Sequence, residues 1–198
     1  MPVGLMELND LPKIHRKVVH MLREAGELTP DSQALVCNER SLTYGEYVWC
    51  VGGFAIELQS LGAGPGERVA LLCGNSIEIA AAMFGIHAAG TQAVPVNPTY
   101  TARELRHILA DAVPLAVVYD EDIRDVVEPL LKELNIKHGI RIGDDGRHLD
   151  TWKDDQTIRL PEPLPGPDNL ATLQYTGGTT GLPKGVNTTH RQMSVNIS

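Results

Sequence analysis

The sequence is short of the residues that several common functions require. Cysteine occurs three times in 198 residues, at Cys37, Cys50 and Cys73. The number is odd and the spacing fits neither a zinc site nor a Cys-x-x-Cys redox pair. Each thiol lies in an apolar context, so the three read as core-packing residues of a reducing cytosol. Basic residues are outnumbered, 17 Lys and Arg against 25 Asp and Glu, for a net charge of −8. That deficit argues against a nucleic-acid partner, because a phosphate backbone needs clustered Lys and Arg; the charge reads as solubilising. No apolar run approaches the roughly 20 residues that cross a bilayer, so no transmembrane segment is expected. The N-terminal MPVGLMELNDLPKIH lacks the basic-then-apolar order of a secretory signal, and the expected location is cytoplasmic. His15, His20, His87, His107, His138 and His148 show no metal-ligand spacing and read as structural or surface residues. No internal repeat is visible.

What is present is ordinary globular composition, 42% hydrophobic and 21% charged, with helix and strand signals in alternation. That alternation predicts an α/β fold with a mostly parallel sheet flanked by helices. Helical spacing covers 12–25, and Ala34–Cys37 is a short apolar strand. Thr43-Tyr44-Gly45-Glu46 is a capping box opening a helix that ends at Gly62. Strands are expected at Arg68–Cys73, Gln92–Val96 and Leu115–Tyr119. The helix Ile77–Ala89 is apolar nearly all round, which predicts burial. A second capping box, Thr101-Ala102-Arg103-Glu104, opens the next helix. A last stripe runs from Ile123 to Leu134, with a kink expected at Pro129. Asp120, Glu121 and Asp122 sit at the start of that helix, where carboxylates suit the dipole better than a metal. Trp49 and Trp152 read as packing residues. After about residue 143 the chain turns polar, and PEPLPGPDN (161–169) reads as an extended linker. Residues 1–160 thus read as an N-terminal α/β subdomain. Residues 161–198 read as a Pro-rich linker, a strand and a loop that open the next subdomain.

The chemistry lies in that loop, TGGTTGLPKG, residues 176–185. Its four glycines, Gly177, Gly178, Gly181 and Gly185, let backbone amides converge on an anion. Thr176, Thr179 and Thr180 add hydroxyl donors, and Lys184 adds a compact charge suited to a polyphosphate. The Walker A pattern ends in Gly-Lys-[Ser/Thr], whereas Lys184 stands between Pro183 and Gly185. The dinucleotide fingerprint needs three spaced glycines between a strand and a helix. Its nearest match, Gly62-Ala63-Gly64-Pro65-Gly66, carries Glu67 in place of the third glycine and follows a helix, so it reads as a helix C-terminal turn. Leu170–Tyr175 is a strand before the loop, and Val186–Thr189 is a candidate returning strand.

The segment PDNLATLQYTGGTTGLPKGVNTTH (167–190) resembles the phosphate-loop signature of AMP-forming acyl-CoA synthetases, the superfamily of adenylate-forming enzymes. Asp168, Leu170, Tyr175, Thr179–Gly181, Lys184–Gly185 and Thr189–His190 fall in register with it. Gly178 stands where Ser is more usual, a form similar to that of long-chain fatty-acid-CoA ligases. LTYGEY (42–47), GPGERVALLCGNSIE (64–78), GIHAAGTQAVPVNPTYTARELRHIL (85–109) and LAVVYD (115–120) follow the same family's order. Asn97-Pro98 resembles a family turn. Asn187 and Thr188 replace apolar residues, a change expected to weaken the strand there.

The resemblance implies an ATP-dependent ligase that activates a carboxylic acid, here a fatty acid, as acyl-AMP and passes it to coenzyme A, with Mg²⁺ as co-factor. It implies that Thr176, Gly177, Gly178, Thr179, Thr180, Gly181 and Lys184 hold the β- and γ-phosphates, with Lys184 the candidate catalytic residue. No metal ligand is assigned within the chain. A place for His190 near the phosphates and a place in packing are both open. The family's adenine, Mg²⁺ and ribose motifs and its C-terminal lysine would follow Ser198. The chain therefore reads as the first third of such an enzyme, inactive alone and prone to form homo-oligomers through uncovered surfaces. The alternatives are a non-catalytic truncated relative that binds nucleotide or protein, an aryl-acid ligase, and an adenylating enzyme that loads a carrier protein.

Overall fold

The computed structural model describes residues 18–143, 148–178 and 181–197. Helix α1 spans Val18–Leu28; residues 12–17 of the expected helix lie outside the described residues. Strands β1 (Gln33–Cys37) and β2 (Arg40–Thr43) form a small antiparallel sheet. Helix α2 (Tyr44–Ser60) starts at the expected capping box: the Thr43 hydroxyl accepts from the Glu46 N–H, and the Glu46 carboxylate accepts from the Thr43 N–H at 2.7 Å. Gly62, at φ +99°, turns the chain away from its end, a dihedral that L side chains rarely adopt. The second box caps α4 (Ala102–Ala112) in the same reciprocal way, through Thr101 and Glu104.

The main sheet has six strands in the order β6-β5-β3-β4-β7-β8. These are β3 (Arg68–Leu72), β4 (Gln92–Pro95), β5 (Ala116–Asp120), β6 (His138–Ile142), β7 (Leu170–Gly178) and β8 (Gly181–Thr189). All neighbours pair in parallel except β7 and β8. The chain leaves β3 through α3 (Ile77–Ala88) to β4, then crosses back to β5 and, through α5 (Arg124–Glu133), to β6. Helices therefore cover both faces. On one face Phe54, Leu58, Ile86 and Val69 lie in one core cluster; on the other Leu105, Ile108, Leu109 and Val117 lie in a second. Fully burying each such side chain is worth about 1.5–3 kcal/mol.

Helix α3 is buried, as its apolar circumference predicts. It approaches α2 closely because residue 85 has no side chain: a Cβ there would stand 2.8 Å from Phe54 Cδ1. Gly53 is used in the same way, with a Cβ there overlapping the Trp152 ring, which bears out a packing role for Trp152. Helix α5 runs on through Pro129. The acidic run sits where expected, with Glu121–Ile123 a single 3-10 turn leading into α5.

Three elements depart from expectation. Strand β2 escapes the sequence pattern because it has only four residues, Arg-Ser-Leu-Thr, with Leu42 alone buried. Strand β6 escapes it because two of its residues, Ile140 and Ile142, face inward and the rest of HGIRI is exposed or half-buried. A 3-10 turn at Leu149–Trp152 interrupts the polar stretch and buries Leu149. The Pro-rich segment is extended, and it places Leu160 and Leu164 in the first core.

His87 is a buried polar group within this packing, 0% exposed on α3. Its Nε2–H donates to the Ala171 carbonyl of β7 at 3.1 Å. Its ring stands 5.2 Å from that of His190, at 75°. Burial, with His190 adding to it, holds the His87 pKa down to about 3. A histidine depressed below its unfolded value of about 6.5 disfavours the fold once protons become available. Its contribution is intact above about pH 6.5 and is lost as pH falls towards 3, at up to about 1.4 kcal/mol per pH unit. His87→Gln, which keeps a donor and cannot be protonated, is expected to show a flatter decline of urea-unfolding free energy between pH 7 and pH 4.5. Parallel declines in the two proteins would refute this role.

Candidate functional site

The glycine-threonine loop is the end of an antiparallel hairpin. Strand β8 runs Gly181–Thr189, longer than the expected Val186–Thr189, so Lys184 and Gly185 lie within the strand. Thr176 is directly opposite Lys184 and Gly178 opposite Gly181, with a bulge between Thr176 and Gly178. Opposite residues on an antiparallel pair share a face, so the Thr176 and Lys184 side chains leave the hairpin on the same side. Both are exposed, and among the described residues Lys184 forms no ion pair. Gly177, Gly178 and Gly181 form the backbone on either side of the tip; Thr179 and Thr180 lie outside the described residues. Gly185 is required by packing: a Cβ there would be 2.8 Å from Leu173 Cδ1 and 3.3 Å from the Tyr175 ring.

The hairpin meets the sheet at one register pair, Ala93 with Thr172. Side chains supply further ties. The Tyr175 hydroxyl donates to Asp111 Oδ2 at 2.5 Å; burial and this carboxylate both push the phenol pKa up. His107 Nε2–H donates to the Pro183 carbonyl at 3.2 Å. Helix α4 thus touches both strands. At the base, Arg191 binds Asp168 through two bonds of 2.9 and 3.0 Å, and the Arg191 and His190 N–H groups donate to Pro167 and Asn169 carbonyls. His190 is 1% exposed, starts the helix His190–Ile197 and packs on His87 at this base, nine strand residues from the tip. Asn187 and Thr188 do not interrupt β8. Asn187 Oδ1 accepts from Gln92 Nε2 at 2.8 Å and Thr188 Oγ1 lies 3.4 Å from the Thr172 carbonyl, so the expected weakening is offset by polar partners.

A second concave region lies outside the carboxyl ends of β3 and β5, where successive crossovers reverse direction. The cavity is about 320 Å³ and is lined by Cys37, Arg40, Gly74, Asn75, Asp120 and Gly143 among others. Most of its charged side chains have partners. Asp120 Oδ2 accepts from the Gly74 N–H at 2.6 Å, and Glu121 pairs with Arg124 and Arg141, both at 2.8 Å. Beside it, Glu78, His148 and Asp150 bring ligand atoms within 4.8 Å of one another. The Arg40 guanidinium fills that space, 2.6 Å from Glu78 Oε1 and 2.7 Å from Asp150 Oδ2, with His148 Nδ1 3.1 Å from Glu78. Burial would raise the Glu78 pKa, but the bonds from Arg40 and His148 outweigh it and lower it. The arrangement is an ion-pair cluster joining β2, α3 and the 3-10 turn. Sequence spacing missed it because its members lie in three separate elements.

The two sites differ in chemistry. In the cavity most acids have partners, while the hairpin presents an exposed threonine, an exposed lysine with no ion pair among the described residues, and glycine backbone, a donor set that fits an anion. Known proteins carry the same arrangement of chain. The chain is 34% identical over 178 residues to a mycosubtilin synthase component of Bacillus subtilis, covering 89% of this chain and 6% of that protein. It is 31% identical over 220 aligned positions to a long-chain-fatty-acid–CoA ligase of Escherichia coli, covering 94% of this chain and 39% of that one. The crystal structure of the anthranilate CoA ligase AuaEII in complex with anthranoyl-AMP superposes with a TM-score of 0.79 at 25% identity, over 94% of this chain and 37% of that one. The chain thus spans well under half the length of each of these proteins. The sequence pattern of the AMP-binding enzyme family extends over residues 22–198, and the chain belongs to that family.

Proposed function

We propose that the chain supplies the phosphate-gripping part of an ATP-dependent, AMP-forming acyl-CoA synthetase. The whole enzyme would join a carboxylate, of the fatty-acid class, to the α-phosphate of ATP, release pyrophosphate, and transfer the acyl group to the thiol of coenzyme A. The observation that supports this best is the exposed Thr176–Lys184 pair on one face of a hairpin bordered by glycines. In this reading Thr176, Thr179 and Thr180 donate hydroxyl hydrogen bonds to the β- and γ-phosphates. Gly177, Gly178 and Gly181 allow the backbone to approach. Lys184 offsets the charge that grows on the leaving pyrophosphate. Mg²⁺ would neutralise further phosphate charge. Among the described residues the one cluster of three ligand side chains is filled by Arg40, so that cluster is not proposed to hold the ion.

The hairpin opens a further subdomain in this reading, and residues 1–160 form the one before it. The cytoplasm, where ATP and coenzyme A are available, is the proposed location. A second reading, an adenylating module that loads a carrier protein, draws support from the 34% identity to the mycosubtilin synthase component. A longer form of the protein distinguishes the two by whether coenzyme A or a carrier thiol accepts the acyl group.

Lys184→Ala is expected to weaken binding of ATP with Mg²⁺ at least about tenfold, the scale of one charge-assisted hydrogen bond. Its melting temperature should stay unchanged, because the side chain is exposed. Isothermal titration and thermal melts check both. The 198-residue chain alone is expected to show no acid-dependent ATP–pyrophosphate exchange; measurable exchange would overturn the division of labour proposed here. Strand β8 has no outer neighbour among the described residues, and Val186 on it is half exposed. Self-association is therefore expected, and light scattering that gives a monomer at high concentration would contradict it.

A further inference from the structure

Gln92 is 5% exposed, on the second-core side of a central strand. Both ends of its amide are used. Oε1 accepts from Arg68 Nε at 3.0 Å, and Nε2 donates to Asn187 Oδ1 at 2.8 Å. Arg68 in turn donates from its Nη1 to the Ala112 carbonyl at 2.8 Å. One buried amide therefore joins the last turn of α4 and the first residue of β3 to β8. Strand β7 lies between β4 and β8 in the sheet, so Gln92 reaches past it to hold the outer strand of the hairpin directly. Asn187 is three residues from Lys184 on that strand.

A polar bond of this kind has a direction that apolar contact lacks. A shift of β8 by one residue would turn Asn187 to the opposite face and leave the Gln92 N–H buried without an acceptor. That cost is about 1–3 kcal/mol, and it adds to the antiparallel ladder with β7, which already holds the register over seven pairs. Strand β8 pairs with β7 alone, and β7 meets β4 at one register pair. The residues that lock the strand are those at which this chain departs from the apolar pattern noted above.

We propose that Gln92 and Asn187, backed by Arg68, are positioning residues for the phosphate loop: their half-buried bond ties β8 to β4 across β7 and so holds Lys184 in place against the sheet. The proposal rests on the phosphate-binding reading of the hairpin.

The test compares the 198-residue protein with Gln92→Leu, Asn187→Leu and the double variant. It measures ATP–Mg²⁺ affinity, melting temperature and hydrogen exchange at amides 184–188 against those of α2. Each single variant should lose affinity about tenfold and speed exchange in β8 by a similar factor, consistent with one buried polar group left unsatisfied. The double variant removes both ends of the Gln92–Asn187 bond and leaves Arg68 Nε as the one group without its acceptor, so its melting temperature should return part of the way to that of the unaltered chain. Its affinity should stay low and its β8 exchange fast. A role in packing alone predicts the reverse, with affinity and exchange recovering along with stability in the double variant, and that result overturns the proposal. Unchanged β8 exchange in the single variants also overturns it. If the unaltered chain fails to bind ATP, the phosphate reading falls, and the exchange pattern alone decides whether the bond anchors β8 to the sheet.

Discussion

The glycine-threonine hairpin depends on its attachment to the sheet. A loop that grips a polyphosphate has to project from the sheet, yet its charged end must be held still to bind with little entropic loss. Here the backbone gives the hairpin one parallel register pair, Ala93 with Thr172, and side chains carry the rest. Tyr175–Asp111 holds the inner strand, His107 and Gln92 hold the outer one, and His87 holds the base. The burial of α3 and the capping of α4 matter to the site for this reason, since those two helices and β4 present most of the anchoring groups.

The elements most legible in the sequence were those whose cause is local. Each capping box lies within four residues, and both halves of each bond form as read. The apolar circumference of α3 is contained in its own twelve residues. The anchoring bonds are another matter: Gln92 and Asn187 are 95 residues apart, His107 and Pro183 are 76, and Tyr175 and Asp111 are 64. Nothing in the periodicity of one segment names its distant partner. Asn187 and Thr188 illustrate this, since by themselves they are poor choices for a strand and beside Gln92 and Thr172 they are satisfied. In the candidate site, residue types and order were readable, while the pairing of Thr176 with Lys184 required the register of two strands.

Charge is distributed to the same end. The chain carries an excess of acid, and much of it is spent internally: Glu78 and Asp150 on Arg40, Glu121 on Arg124 and Arg141, Glu133 on Arg106, Asp168 on Arg191. Exposed pairs of this kind add little stability, but they occupy the cations. Lys184 is left available at the hairpin, and acids more than about 8 Å away across solvent are largely screened from it at physiological salt. An acidic protein can therefore present a local site for an anion.

The base of the hairpin has one more consequence. Residues 167–169 and 190–191 are bonded to each other, so the segment between them leaves and re-enters the domain at nearly the same place. A segment closed in this way behaves as an exchangeable cassette: its tip can change in composition or length without displacing the chain on either side.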